Sequence, residues 1–94
     1  MSAKTSDRFR PTQQVHARLF DGELIVVHLG EGKYFSLDEV GAFVWEQLGQ
    51  GRSIDDVAEA IVARYEIDQQ TALRDAMRLA RELVENKLIE PVRG

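Results

Sequence analysis

The side chains that could carry out chemistry are few and widely separated in this chain. The only two histidines are His16 and His28, and two histidines without a third ligand are an incomplete set for a metal ion. Cysteine is absent, which excludes disulfides, thiolate nucleophiles and thiolate metal sites. The carboxylates are scattered over predicted helix faces and show no inward-facing pair suited to acid–base catalysis. The sequence therefore predicts no catalytic residue, no metal ligand and no cofactor.

Length, charge and hydropathy narrow the function classes further. The 94 residues correspond to one domain, and the net charge is -4. Proteins that bind nucleic acid usually carry a positive field, because neutralising phosphates supplies most of their affinity. No apolar run is long enough to span a bilayer, and the polar start lacks the apolar stretch of a signal peptide. We expect a cytoplasmic protein with no nucleic-acid partner and no membrane association.

Hydrophobic patterning predicts three short strands in the first half of the chain. They are Val15–Phe20, Leu24–Leu29 and Lys33–Leu37. The Asp21-Gly22 pair between the first two runs is a strong hairpin signal, since both turn positions favour residues that tolerate positive φ. The polar residues 1–13 predict a flexible N-terminal tail, and residues 14–92 predict a single domain.

Helical spacing replaces strand spacing after Leu37. Asp38, Ser53 and Asp68 are each placed to cap a helix, because their side-chain oxygens can accept from backbone N–H groups of the first turn. Ser36 with Glu39 offers a competing capping box for the first helix. Gly49 and Gly51 end the first helix, Asn86 ends the third, and Leu88–Val92 is a short extended end. Three strands followed by three helices predict an α+β fold, with the helices on one face of a three-stranded antiparallel sheet. The helix–glycine turn–helix order gives it a winged helix-turn-helix-like character.

Three consecutive segments resemble the PqqD family, which includes the recognition elements for precursors of ribosomally synthesised and modified peptides (RiPPs). They read GKYFSLDEVGAFVWEQL, GRSIDDVAEAIVARYEID and ALRDAMRLARELVENKLIE. The shared features include the cap at Asp38, Gly41 and Trp45 in the first helix, and Ser53 after the glycine-rich turn. The resemblance covers roughly residues 15–91. The family's usual cap is Asn, and Asp38 keeps the same capping chemistry.

This resemblance implies a non-catalytic peptide chaperone. Members of the family bind the leader of a precursor peptide as an added strand between the third strand and the third helix. A separate modifying enzyme then acts on the rest of the precursor, and it is often a radical S-adenosylmethionine (SAM) protein, a leader protease or a cyclase. The expected partners are therefore a leader peptide and such an enzyme.

The residues expected to bind the peptide lie on the third strand and the third helix. They are Lys33, Tyr34, Phe35, Ser36, Leu73, Arg74, Met77, Arg78, Ala80 and Arg81. The apolar helix residues would form the groove floor, and the arginines would clamp acidic residues of a leader. Each set also has a plainer interpretation, as ordinary core or as a solvated helix face. Tyr34 and Phe35 project to opposite faces of their strand, so only one of them can face the groove.

Two alternatives belong to other function classes. A winged-helix DNA-binding transcriptional regulator would place the third helix in the major groove and use its arginines, although the acidic balance opposes this. A structural or dimerising subunit is suggested by Leu24–Leu29, which is apolar at nearly every position. Helices can cover only one face of that strand, so the tail, a partner or a second copy in a homodimer would cover the other.

Overall fold

Residues 4–92 are described by the computed structural model, in which four strands precede the three helices and a fifth short strand follows them. The strands are β1 (Phe9–Pro11), β2 (Val15–Phe20), β3 (Glu23–His28), β4 (Lys33–Leu37) and β5 (Ile89–Pro91). The helices are α1 (Glu39–Gly49), α2 (Ile54–Tyr65) and α3 (Gln69–Glu85). The predicted α+β class is confirmed, because β2, β3 and β4 form an antiparallel three-stranded sheet that the three helices follow.

A two-residue turn fixes the register of the main sheet. Asp21 and Gly22 have φ values of 52° and 82°, and positive φ at both central positions is the signature of a type I′ hairpin. The turn pairs Phe20 with Glu23, and the register continues to Val15 opposite His28. The predicted hairpin is confirmed, and its second strand begins one residue earlier than the sequence suggested.

Each helix begins directly after the residue predicted to cap it. The backbone N–H groups of Gly41, Asp56 and Thr71 donate to the side chains of Asp38, Ser53 and Asp68 respectively. Asn86 is the C-cap of α3, as predicted. Because these contacts span only three residues, local chemistry alone was enough to locate the helix starts.

The hydrophobic core lies between the inner face of the sheet and the three helices. Its largest buried side chains are Phe9, Leu48, Ile54, Ile61, Leu83 and Leu88. The sheet contributes Val26 and Leu37, with Phe35 packed against them from a half-buried position. α3 contributes small residues at helical spacing, which allows α3 to pack closely on α2.

The prediction of a flexible tail over residues 1–13 is wrong for residues 9–11. These residues form β1, which pairs antiparallel with β5 in a second sheet. Phe9 is only 1% exposed and belongs to the core, so the ordered domain begins before residue 14. A single aromatic residue among polar neighbours gives no periodic signal, and its partner strand is some 80 residues away in sequence. The part of the tail prediction that concerns residues 1–3 lies outside the described residues.

The outer face of the main sheet is not covered by any described part of the chain. Phe20 and Tyr34 are 69% and 71% exposed on this face, and Ile25 and Val27 lie half-buried between them. The segment before β2 pairs with β5 and leaves this face open. Within residues 4–92, no helix has both the length and the apolar character needed to cross a membrane.

Candidate functional site

The hydrogen-bonding direction of each residue in β4 follows from the sheet register. In an antiparallel pair, opposite residues alternate between pairs that exchange backbone hydrogen bonds and pairs that do not. The Leu29 N–H donates to the Gln14 carbonyl at 2.9 Å, so this pair is a bonded one, like the pair that flanks the two-residue turn. The bonded pairs between β2 and β3 thus include Glu23, Ile25 and Val27 of β3. The alternate residues of β3 direct their backbone groups to β4, and they are Leu24, Val26 and His28.

Two residues of β4 therefore keep their backbone groups free. Those three β3 residues stand opposite Lys33, Phe35 and Leu37, whose backbone groups are therefore hydrogen-bonded to β3. The N–H and C=O groups of Tyr34 and Ser36 point away from the sheet. In the part of the chain that is described, β4 has no strand neighbour other than β3. Each of the two residues offers one donor and one acceptor to an incoming strand.

A groove with a volume of about 580 Å³ lies beside the end of β4. Its lining comes from β3, β4, all three helices, the Asp38 cap and Ile67 between α2 and α3. The floor is apolar, and its residues are Leu37, Val40, Gly41, Val44, Ile61, Ile67 and Leu79. A free strand edge beside an apolar groove can hold an extended peptide, because backbone and side chains are both accommodated.

Gly41 lies in the first turn of α1, close to the end of β4. A Cβ atom at this position would lie 3.2 Å from both Leu37 Cβ and Asp38 Oδ1. Those distances are shorter than ordinary van der Waals contact, so a larger residue would push against the cap and the groove wall. Glycine at this position explains how α1 can begin directly beside the strand edge.

Charged side chains form the rim of the groove. The lining includes the carboxylates Glu23, Asp38 and Asp75 and the guanidinium of Arg78. The Ser36 hydroxyl donates to Glu23, and the Gly41 N–H donates to Asp38 at 2.8 Å. Arg78 Nη2 lies 3.8 Å from Asp75 Oδ1, and both side chains of this pair are substantially exposed.

The structure brings only some of the residues predicted to bind peptide to this groove. Ser36 and Arg78 line it. Lys33 and Tyr34 are exposed on β4, with the Tyr34 ring on the outer face of the sheet, whereas Phe35 packs half-buried toward the core. Direct peptide contact by these β4 residues and Arg78 stays a prediction.

The other predicted helix residues lie on different sides of α3. Leu73 and Met77 are half-buried against the core, on the flank of α3 opposite Asp75 and Leu79. Ala80 is 0% exposed, so burial removes it from the groove floor. Arg74 and Arg81 are exposed on the solvent side of α3 and do not line the groove.

Sequence reasoning missed every residue of the groove floor and three of the four charged residues of the rim. Ile67 carried a usable signal, because it is an apolar residue in the break between two helices. Leu79 lies between two residues that were placed in the site, but only the rotation of α3 against the sheet decides which flank faces β4. The acidic rim residues come from three elements that are distant in sequence, so no spacing pattern connects them.

The histidines do not form a metal site with each other. His16 stands opposite Val27 and His28 opposite Val15, so the two side chains project to opposite faces of the sheet. His28 Nδ1 instead accepts from the Glu31 N–H at 3.1 Å. Across residues 4–92, no three histidine or carboxylate side chains are grouped so that they could hold a metal ion.

Comparison with known proteins identifies the class that this fold and groove define. Residues 23–89 match the family of coenzyme PQQ synthesis protein D (PqqD), and the chain belongs to that family. The fold of a strand meander followed by three helices is also that of a solved RiPP recognition element described below. No curated protein sequence matches the chain significantly.

Three solved structures are similar over nearly the whole chain. TbiB1 in complex with the TbiA(beta) leader peptide is 32% identical, with a TM-score of 0.80, and the match covers 90% of this chain and 99% of that one. Lasso peptide synthetase B1 complexed with the leader peptide is 27% identical, with a TM-score of 0.82 and coverage of 89% and 99%. The PqqD truncation of Methylobacterium extorquens PqqCD, a stand-alone RiPP recognition element, is 20% identical, with a TM-score of 0.77 and coverage of 93% of each chain.

Proposed function

We propose that this chain is a peptide chaperone that binds the leader of a ribosomally synthesised precursor peptide as an extra strand beside β4. The observation that carries the proposal is the free edge at Tyr34 and Ser36, which adjoins an apolar groove bordered by α3. Two of the similar structures are complexes with leader peptides, which supports leader binding by this chain.

Backbone pairing and groove contacts must both contribute to affinity. Each backbone hydrogen bond formed by Tyr34 or Ser36 is worth about 0.5–1.5 kcal/mol net. Ordering the peptide backbone costs about 1–2 kcal/mol per residue, so those bonds alone cannot hold a leader. Burying one large apolar side chain of the leader on the groove floor contributes roughly 1.5–3 kcal/mol. We therefore propose that the strand edge sets the register and that the apolar floor supplies most of the affinity.

The edge of β4 is a better binding site than the opposite edge of the sheet. β2 also has no outer strand neighbour in the described chain, but its side chains are almost all exposed, and the cavity of about 540 Å³ beside it is lined by residues of β2, β3 and Leu29 and by no helix residue. A peptide added there could contact apolar side chains of the sheet, but it would lie on one layer of the protein and not between a strand and a helix. The difference in burial favours β4.

Amide hydrogen exchange, followed residue by residue by NMR, tests the proposal. The probe is a synthetic peptide with the leader sequence of a precursor encoded near the gene for this chain, as found by inspecting the neighbouring genes. We expect the amides of Tyr34 and Ser36 to exchange quickly in the free protein and to become protected when the peptide binds. The amides of Phe35 and Leu37 are protected in both states, since they already bond to β3. Absence of binding, or new protection confined to β2, would contradict the proposal.

We further propose that the chain acts without catalysis of its own and delivers the bound leader to a separate modifying enzyme. A radical SAM protein, a leader protease and a cyclase are the candidate classes for that enzyme. The encounter would take place in the cytoplasm, since ribosomally made precursors originate there. Adding the chain to the purified enzyme and precursor should raise the rate of modification, and a leaderless precursor should show no such increase.

DNA binding is not favoured as an alternative function. The arginines of α3 are exposed, but Asp75, Glu82 and Glu85 lie on the same helix, and Asp75 pairs with Arg78. The net charge of -4 adds a general repulsion toward phosphates.

The exposed outer face of the sheet supports a homodimer as a separate proposal. Phe20, Tyr34 and Leu29 expose more than half of their surface there, and an apolar patch of this kind often marks an interface. The molar mass measured by light scattering over a range of protein concentrations tests this point. A constant monomer mass would contradict a homodimer and leave leader binding unaffected.

A further inference from the structure

We propose that the charged rim of the groove selects a leader segment with a basic side chain next to its apolar anchor residues. This inference rests on the proposed function and specifies the chemistry of the peptide that the groove accepts. It reverses the electrostatic expectation from sequence, in which an arginine stripe on the third helix clamps acidic residues of the leader.

The charge count of the groove lining points to a cationic partner. Glu23, Asp38 and Asp75 contribute three negative charges, and Arg78 contributes one positive charge, so the lining has a net charge of about -2. Arg74 and Arg81 project from the solvent side of α3 and are not part of the lining. The rim therefore presents the opposite sign to the one suggested by the stripe of arginines along α3.

Hydrogen bonding within the rim leaves the negative charges available. Arg78 is the only cation of the lining, and its 3.8 Å separation from Asp75 makes it a partner for that carboxylate. Glu23 accepts from the neutral Ser36 hydroxyl, and Asp38 accepts from the neutral Gly41 N–H. These bonds orient the two carboxylates without neutralising them. Each carboxylate also keeps a second oxygen for a donor on the peptide.

The location of Glu23 and Asp38 ties this preference to the bound peptide. Ser36, which donates to Glu23, is also one of the two β4 residues whose backbone groups are free. Asp38 follows β4 by a single residue and lines the same groove as the apolar floor. A strand added along β4 would therefore pass close to both carboxylates. A lysine or arginine near its apolar anchors would find an opposite charge, and a glutamate would be repelled.

The test combines two peptides with three forms of the protein. The peptides are the same synthetic leader that tests the proposed function and a version in which every Lys and Arg is replaced by Gln. The proteins are the wild type, the double variant Glu23→Gln/Asp38→Asn, and the matched control Glu59→Gln/Glu85→Gln. The control removes the same charge from exposed helix positions outside the groove lining. Asp38→Asn keeps the helix cap, because Asn is an equally good N-cap residue.

We expect the wild type and the control to bind the native leader about three- to tenfold more tightly than the Gln version, which is the scale of one or two exposed ion pairs. The ratio of the affinities for the two peptides should fall below about twofold in Glu23→Gln/Asp38→Asn. For the wild type this ratio should also decrease in high salt, because salt screens the charges. An equal affinity of the wild type for both peptides would overturn the inference. It would also be overturned if the Gln version of the leader lost the same affinity for all three proteins. A leader with no Lys or Arg that binds tightly would also overturn it. In those cases strand addition would stand, whereas absence of binding by either peptide would refute the proposed function itself.

Discussion

Replacement of Ser36 by proline tests whether the backbone edge of β4 is used. The Ser36 N–H points away from β3, so its loss removes no bond of the sheet, and proline is tolerated at edge positions of this kind. The variant loses one hydrogen bond to an incoming strand, worth about 0.5–1.5 kcal/mol, which corresponds to roughly a two- to twelvefold loss of affinity. The pyrrolidine ring also obstructs close approach of the peptide backbone, so we expect a loss of at least about tenfold.

Two matched variants distinguish the loss of the backbone N–H at Ser36 from the loss of its hydroxyl and from a general effect of proline in an edge strand. Ser36→Ala removes the hydroxyl that donates to Glu23 but keeps the backbone N–H. Ala17→Pro makes the same backbone change on β2, where the Ala17 N–H also points away from the sheet by the register of its bonded neighbours. Isothermal titration with the leader should show a large loss only for Ser36→Pro, and urea unfolding should confirm that all three variants fold. Unchanged affinity of Ser36→Pro would refute strand addition at this edge, and a loss confined to Ala17→Pro would place the peptide on β2.

Two further predictions concern the core and the groove. Phe9→Ala should reduce the free energy of unfolding by about 3–5 kcal/mol, the usual cost of emptying a fully buried aromatic site, and urea denaturation would measure it. A change below about 1 kcal/mol would show that β1 does not belong to the core. Leu79→Ala should weaken leader binding more than Leu73→Ala, because only Leu79 lines the groove although both residues lie half-buried on α3. An equal or larger effect of Leu73→Ala in a titration would mean that the peptide contacts the other flank of α3.

The amino-acid sequence by itself determined the parts of this protein that depend on neighbouring residues. The Asp21-Gly22 turn and the caps at Asp38, Ser53 and Asp68 were predicted correctly, because each depends on contacts between residues at most three positions apart. The order of strands and helices followed from those signals together with hydrophobic spacing. The resemblance to the PqqD family could also be recognised from sequence, and the family match confirms it.

Only the tertiary structure decided which residues meet at the groove. The pairing of β1 with β5 joins two segments some 80 residues apart in sequence, and a single buried Phe9 in a polar segment gives no pattern that would predict it. Ala72, Ala76 and Ala80 fix the buried side of α3, but the direction in which each flank points depends on how the helix packs against α2 and the sheet. That packing turns Asp75 and Leu79 toward β4 and Leu73 away from it. The net charge of the groove is the sum of charged side chains from β3, from the Asp38 cap and from α3. Long-range packing brings these side chains together, and the spacing within one helix cannot predict that sum.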